Sequence, residues 1–199
     1  MESLAPAIFV DRDGTLNEMV YDATHGTLDS PRTPQQVTVR PGASSFLKTL
    51  KARGYLIILV TNQPGVAKGT LSLAGLESVN HQLLTLLNKD GAAWDDLYFC
   101  PHHPSFTPGG DPEYTMACQC RKPLPGMLLE AAARHKIDLT RSWMVGDGLN
   151  DVQAGRRAGC KTCLVTSLKI EQVERFFSLE DAMPDQIAGN LDQACSLIL

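Results

Sequence analysis

Short apolar runs rich in β-branched residues alternate along this chain with longer segments whose apolar positions recur every three or four residues. The run "PAIFV" (6–10) reads as a first strand. In "PGASSFLKTLKARG", Ala43, Phe46, Leu47 and Leu50 share one helical face and Gly54 marks the stop. "YLIILV" (55–60) has no polar face, as expected of a central parallel strand. Residues 72–88 follow as a helix, with Ser72 as cap and a stripe of Leu73, Leu76, Val79, Leu83 and Leu87. "DLYFC" (96–100) is a third strand, "PGMLLEAAARHK" (125–136) a helix opened by proline, and "SWMVGD" (142–147) a fourth strand. A short helix then runs to Gly159, "KTCLV" (161–165) is a fifth strand, and Cys195 lies in an apolar C-terminal helix.

Strand and helix in strict alternation predict a three-layer, doubly wound α/β fold: a parallel sheet with helices on both faces. Ligands in such sheets bind beyond the carboxyl ends of the strands. The predicted strands deliver Asp11 and Asp13 from the first, Thr61, Asn62 and Gln63 from the second, and Asp147 from the fourth, with Asp151 four residues on. Lys122 lies in the loop after the third strand. Carboxylates, a hydroxyl, amides and an ammonium therefore converge on one rim.

Composition narrows the function classes. The 199 residues are 43% apolar and 20% charged, ordinary for a globular chain long enough to bury a core, and they are read as one domain over 1–199. The net charge of −4 supplies no basic footprint for nucleic acid. No apolar run approaches the roughly 20 residues that span a bilayer. "MESLAPAIFV" has no signal-peptide pattern, so the expected location is the cytoplasm, where six cysteines are thiols or metal ligands rather than disulfides.

Three acidic groups at one point raise each other's pKa unless a cation neutralises them, and carboxylate oxygens without soft donors suit Mg²⁺. A phosphate ester at that point would have its charge offset by Lys122 and the Thr61 hydroxyl. One carboxylate could attack phosphorus, and the one two residues on could protonate the leaving oxygen and then activate water. Gly14 would let the chain turn sharply beside the phosphate. The stretches "DRDGTLN", "VTNQ", "RKP" and "VGDGLND" resemble, in order and spacing, the four motifs of the haloacid dehalogenase superfamily of aspartate-nucleophile phosphatases. The resemblance implies Asp11 as nucleophile, Asp13 as acid/base, and Thr61 and Lys122 holding the phosphoryl group. It implies Mg²⁺ bound by the carboxylates of Asp11 and Asp147 and the backbone carbonyl of Asp13, with Asp151 in support.

"CPHHP" (100–104) and "CQCRKP" (118–123) place Cys100, His102, Cys118 and Cys120 in a loop rich in Gly and Pro. Three thiolates and an imidazole form a closed tetrahedral set for structural Zn²⁺; His103 could replace His102, and reduced cysteines beside a surface histidine are the plain alternative. A metal clip would order a segment that lacks a core and leads directly into Arg121 and Lys122. The same arrangement resembles the heptose-bisphosphate phosphatase and histidinol-phosphatase branch of the superfamily. That resemblance implies a structural zinc in a loop at about 100–120, no large cap domain, a monomer, and substrate recognition by Arg121, with Asn62 and Gln63 also at the substrate. The implied substrate is a small sugar bisphosphate, D-glycero-D-manno-heptose 1,7-bisphosphate losing its 7-phosphate, or else histidinol phosphate or another small metabolite.

Several residues stay outside these motifs. In the segment 18–40, His25, Arg32 or Arg40 could reach a distal phosphate, or the segment could be a solvated loop. Gly148 stands where the heptose phosphatases carry lysine, and Lys68 faces either substrate or water. Cys160 and Cys163 read as core thiols rather than a redox pair. A further reading within the superfamily is DNA 3′-phosphate repair, which the acidic balance disfavours; from other classes come a phosphorelay receiver and a zinc-loop interaction module. A receiver would need its phosphoacceptor after the third strand, where Cys100 and Pro101 stand instead.

Overall fold

A computed structural model describes residues 4–23, 26–177 and 182–199. Six parallel strands form the main sheet: β1 (Ala7–Val10), β4 (Leu56–Asn62), β5 (Asp96–Cys100), β6 (Trp143–Gly146), β7 (Lys161–Val165) and β8 (Gln186–Ala188). Their order is β5-β4-β1-β6-β7-β8. The chain thus winds outward from β1 to one edge, then returns to β1 and winds to the other. That reversal leaves a crevice at the carboxyl end of β1, between β4 and β6.

Both faces of the central strands are buried, which is why they carry no polar alternation. Ile8, Val10, Ile57 and Leu59 pack toward helices α1 (Ala43–Ala52), α2 (Leu73–Lys89) and α6 (Leu191–Ile198). Ala7, Phe9, Ile58 and Val60 pack toward α3 (Gly126–His135) and α4 (Leu149–Ala158). Helix α5 (Ile170–Phe177) packs beside β7, where Val173 and Phe177 meet Val152 and Leu164. The Ser72 hydroxyl caps α2 by accepting from the Gly75 N–H at 3.0 Å. The expected three-layer, doubly wound architecture without a large cap is the one observed.

Three features depart from the sequence-based expectation. Strand β4 continues through Thr61 and Asn62 because its ladder with β5 runs on to Asn62 opposite Cys100, so both polar residues sit on the strand itself. A sixth strand, β8, extends the sheet beyond β7. The segment after β1 is a small antiparallel hairpin, β2 (Val20–Asp22) with β3 (Thr27–Asp29), rather than a plain loop. No helix among the described residues is long and apolar enough to cross a membrane.

Candidate active site

The first strand ends by handing its backbone to β6, with the Asp11 N–H donating to the Val145 carbonyl at 2.9 Å. The chain then turns tightly through residues 12–17. At Gly14 the backbone has φ +82°, and a Cβ there would stand 2.1 Å from a carboxylate oxygen of Asp147. Glycine is required twice over, by conformation and by contact. A Cβ on Gly146 would likewise fall 2.4 Å from Asp151 Oδ2. These close approaches bring the ends of β1 and β6 together.

Carboxylate oxygens of Asp11, Asp147 and Asp151 lie within 4.8 Å of one another. Lys122 joins two of them, its Nζ lying 2.6 Å from Asp11 Oδ1 and 2.7 Å from Asp151 Oδ1. The ammonium also donates to the Val60 carbonyl at 2.9 Å. Burial lowers the Lys122 pKa, but Asp11 and Asp151 outweigh it and hold the ammonium well above its ordinary value. Burial also raises Asp11; Lys122 opposes that rise, and the charges of Asp151, Asp147 and Asp13 add to it. Asp147 is pushed up to about 6, by burial first and by the charge of Asp151 next, against the cations Lys122 and Arg40. One lysine does not neutralise three carboxylates. The set therefore fits a hard divalent cation, and the donors are all oxygen.

The carboxylate of Asp13 is outside that group. Its Oδ1 accepts from Arg12 Nε and Asn17 Nδ2, both at 3.0 Å, and its Oδ2 from Arg12 Nη2 at 2.8 Å and Gln63 Nε2 at 2.7 Å. Burial works to raise its pKa, yet the Arg12 charge and these donors prevail and hold it below the usual range. Asp11, Asp13, Thr61, Asn62, Lys122 and Asp147 line one cleft, joined by Gly148, Asn150 and Asp151 and by Met19 and Ser30 from the ends of the hairpin.

Residues expected at the substrate divide in use. Asn62 clasps the Lys122 backbone from both ends of its amide, donating to the carbonyl at 2.9 Å and accepting from the N–H at 3.0 Å. Gln63, buried, bridges Asp13 to the Thr61 hydroxyl. Arg121 donates to the His102 carbonyl at 3.3 Å. Arg40 donates to the Gly14 carbonyl in the turn after β1, while Arg32 pairs with Asp29 on the surface. Half-buried Lys68 is not among the residues lining the cleft. His25 lies outside the described residues. Arg12 and Asn17 lie inside the stretch "DRDGTLN" but carry no role in the sequence reading, and Asn80 lies outside every motif, although Arg12 is the largest fully buried side chain among the described residues.

Between β5 and α3 the second cluster forms as its spacing suggested. Cys118 Sγ lies 3.5 Å from Cys100 Sγ and 3.4 Å from Cys120 Sγ, and His102 Nδ1 lies 3.6 Å from Cys100 and 3.3 Å from Cys120. Donors about 2.3 Å from a central zinc would stand roughly 3.7 Å apart, so the set fits a tetrahedral ion. His103 turns instead to the Ser105 backbone. All six cysteines are free thiols; Cys160 and Cys163 are buried in the core and pushed up to about 12 by that burial.

A family model described as HAD-hydrolase-like matches residues 119–194. The D-glycero-beta-D-manno-heptose-1,7-bisphosphate 7-phosphatase of Rhodopseudomonas palustris is 40% identical over 154 residues, covering 77% of this chain and 79% of that protein. The Escherichia coli protein of the same name is 37% identical over 162 residues, 81% of this chain and 79% of its own. Among solved structures, the D,D-heptose 1,7-bisphosphate phosphatase of B. bronchiseptica, complexed with magnesium and phosphate, superposes with TM-score 0.75 at 28% identity over 97% of both chains.

Proposed function

Because the chain belongs to the heptose-bisphosphate phosphatase family of HAD-like hydrolases, we propose that it removes the 7-phosphate of D-glycero-D-manno-heptose 1,7-bisphosphate through a phosphoryl-Asp11 intermediate. The observation that carries this reading is the buried triad of Asp11, Lys122 and Asp151 beside Asp147 at the end of β1. It presents a buried carboxylate, suited to act as nucleophile, already flanked by a buried cation.

The carboxylates of Asp11 and Asp147, with the Asp13 backbone carbonyl, would hold Mg²⁺. When bound, that ion supplies charge neutralisation for the phosphoryl oxygens and the attacking carboxylate. An Asp11 oxygen then forms the bond to phosphorus as the ester P–O bond breaks, and Asp13, which takes up a proton as the anionic ester enters beside it, gives that proton to the departing oxygen. Lys122 and the Thr61 hydroxyl hold the phosphoryl oxygens. Water next attacks phosphorus, its proton passes to Asp13, and the Asp11–phosphorus bond breaks to release phosphate. Asp151 orients the Lys122 ammonium, and Asn62 fixes the backbone that carries it.

The thiol and imidazole set of Cys100, His102, Cys118 and Cys120 holds a structural zinc in this reading. Three zinc-held thiolates and three thiols outside any disulfide fit the reducing cytoplasm. The substrate partner is a small sugar bisphosphate, and nucleic acid and membrane have no place at so acidic a rim. Phosphate release from the heptose bisphosphate, from histidinol phosphate and from simple phosphomonoesters, each with and without Mg²⁺, tests the proposal. Preferred turnover of the heptose at C7, seen as loss of one ³¹P resonance, supports it; higher efficiency on histidinol phosphate would reassign the substrate.

A further inference from the structure

Arg12 stands between the two aspartates of the catalytic turn, where a charged side chain would ordinarily point to water. Its side chain is instead fully buried. A buried guanidinium is costly unless its donors are met, and here three nitrogens are engaged. Nε and Nη2 grip the two oxygens of Asp13 at 3.0 and 2.8 Å, and Nη1 donates to Asn80 Oδ1 at 2.6 Å. Asn80 is itself buried on α2, between Val79 and Leu83 of its core face. A polar amide at such a position is retained only with a partner.

We propose that Arg12, braced by Asn80, is a positioning residue that sets where the Asp13 carboxylate stands relative to the bound phosphate ester. The inference rests on the assignment of Asp13 as the acid/base. Asn17 and Gln63 each offer Asp13 one amide donor, and a single amide can be exchanged for a leaving oxygen or a water. The planar fork is different: it fixes both the plane and the distance of the carboxylate through two parallel bonds. Asn80 ties that fork to a 17-residue helix anchored in the core. The orientation of the acid/base is thereby set by the scaffold and not by the turn alone.

A positioning role predicts a selective loss. Expelling a sugar alkoxide needs a correctly placed proton donor, whereas p-nitrophenolate leaves without one. Arg12→Lys keeps the charge but loses the fork, and Asn80→Leu removes the brace without touching the turn. In each, single-turnover phosphorylation by the sugar bisphosphate should slow about 10- to 100-fold with KM within about twofold. The p-nitrophenolate burst from p-nitrophenyl phosphate should stay within about threefold of the parent. The ratio of the two rates on one sample cancels any loss of folded protein, so partial misfolding cannot imitate the result. Asp13→Asn sets the reference for complete loss of the acid. A fall of the ratio toward that reference in both variants supports the proposal. A ratio at the parental value in both, while Asp13→Asn lowers it, overturns the role of Arg12 alone. An unchanged ratio in Asp13→Asn overturns the acid/base assignment, and the proposal with it.

Discussion

The rim at the end of β1 and the cysteine loop after β5 each crowd donors that need a cation, yet they are built from opposite ends. At the rim the scaffold comes first. Parallel strands with buried faces deliver Asp11 and Asp147, glycines allow their close approach, and Lys122 already spans Asp11 and Asp151. The loop has thinner support: Phe106 and Met116 are exposed, Tyr114 alone of its large side chains packs on Val66, Leu71 and Leu76, and backbone bonds such as Asp111 N–H to the Ala67 carbonyl at 2.9 Å tie it to the body. There the ion would make the local structure, as it does in small zinc modules. At the rim the structure prepares a place for the ion.

The largest effect should come from the rim. Asp11→Asn removes the proposed nucleophile and is expected to lower turnover by about 10⁵-fold or more. Lys122 keeps Asp151 as partner, so the fold should persist with an unchanged circular dichroism spectrum. Phosphate release near the parental rate would end the nucleophilic reading of this residue. Next in size is Cys118→Ser, which breaks the thiol set. Zinc content should fall to near zero, and amide exchange should rise across 101–121 with little change in the sheet. Because that loop feeds Lys122 into the rim, turnover should fall about 10- to 100-fold with it, as misplacement of a charged group by about 1 Å would cause. Full zinc occupancy in the variant would remove Cys118 from the ligand set.

These asymmetries also decide what the sequence made legible. The central strands could be read because residues such as Ile57 to Val60 face packed helices on both sides and leave an unbroken apolar run. Strands of three residues, "VYD", "TLD" and "QIA", are too short to display a period, and pairing alone reveals them. The rim residues were legible because strand ends gather them whatever the loops do. Arg12 was not, since a charge between two aspartates looks solvated until Asn80, 68 positions away, supplies its partner. Asn62, which lines the cleft, also clasps the backbone of Lys122, 60 positions away, and local pattern carries no trace of that engagement.

A smaller effect follows from the charge imbalance at the rim. Asp147 is raised from 3.8 to about 6, so between about pH 4 and 6 the folded metal-free chain holds a proton that the unfolded chain has lost. The folded state binds more protons over that window, and its stability must fall as pH rises through it. Mg²⁺ requires the ionised carboxylates of Asp147 and of Asp11, the latter raised to about 8, and should act in the opposite sense, its apparent affinity rising about tenfold per pH unit from about 6 to 8 and more steeply below 6. Thermal unfolding with and without Mg²⁺ across this range reads both trends. A slope that does not steepen below pH 6 would show that Asp147 is not a ligand.

The smallest effect separates thiols that share a residue type and little else. Cys163 is buried on β7, packed in the core with a pKa raised by burial alone, and no donor set surrounds it. Cys163→Ala removes one buried sulfur and leaves a cavity of atomic size, at a cost of about 1 kcal/mol. For a chain of this length that is a drop of roughly 2–4 °C in Tm. Zinc content, the exchange of residues 101–121 and turnover should all match the parent, the reverse of the pattern at Cys118. If instead zinc fell in this variant, the clip would extend beyond Cys100, His102, Cys118 and Cys120. The contrast between a prepared site and an ion-built one would then have to be redrawn around the core thiols.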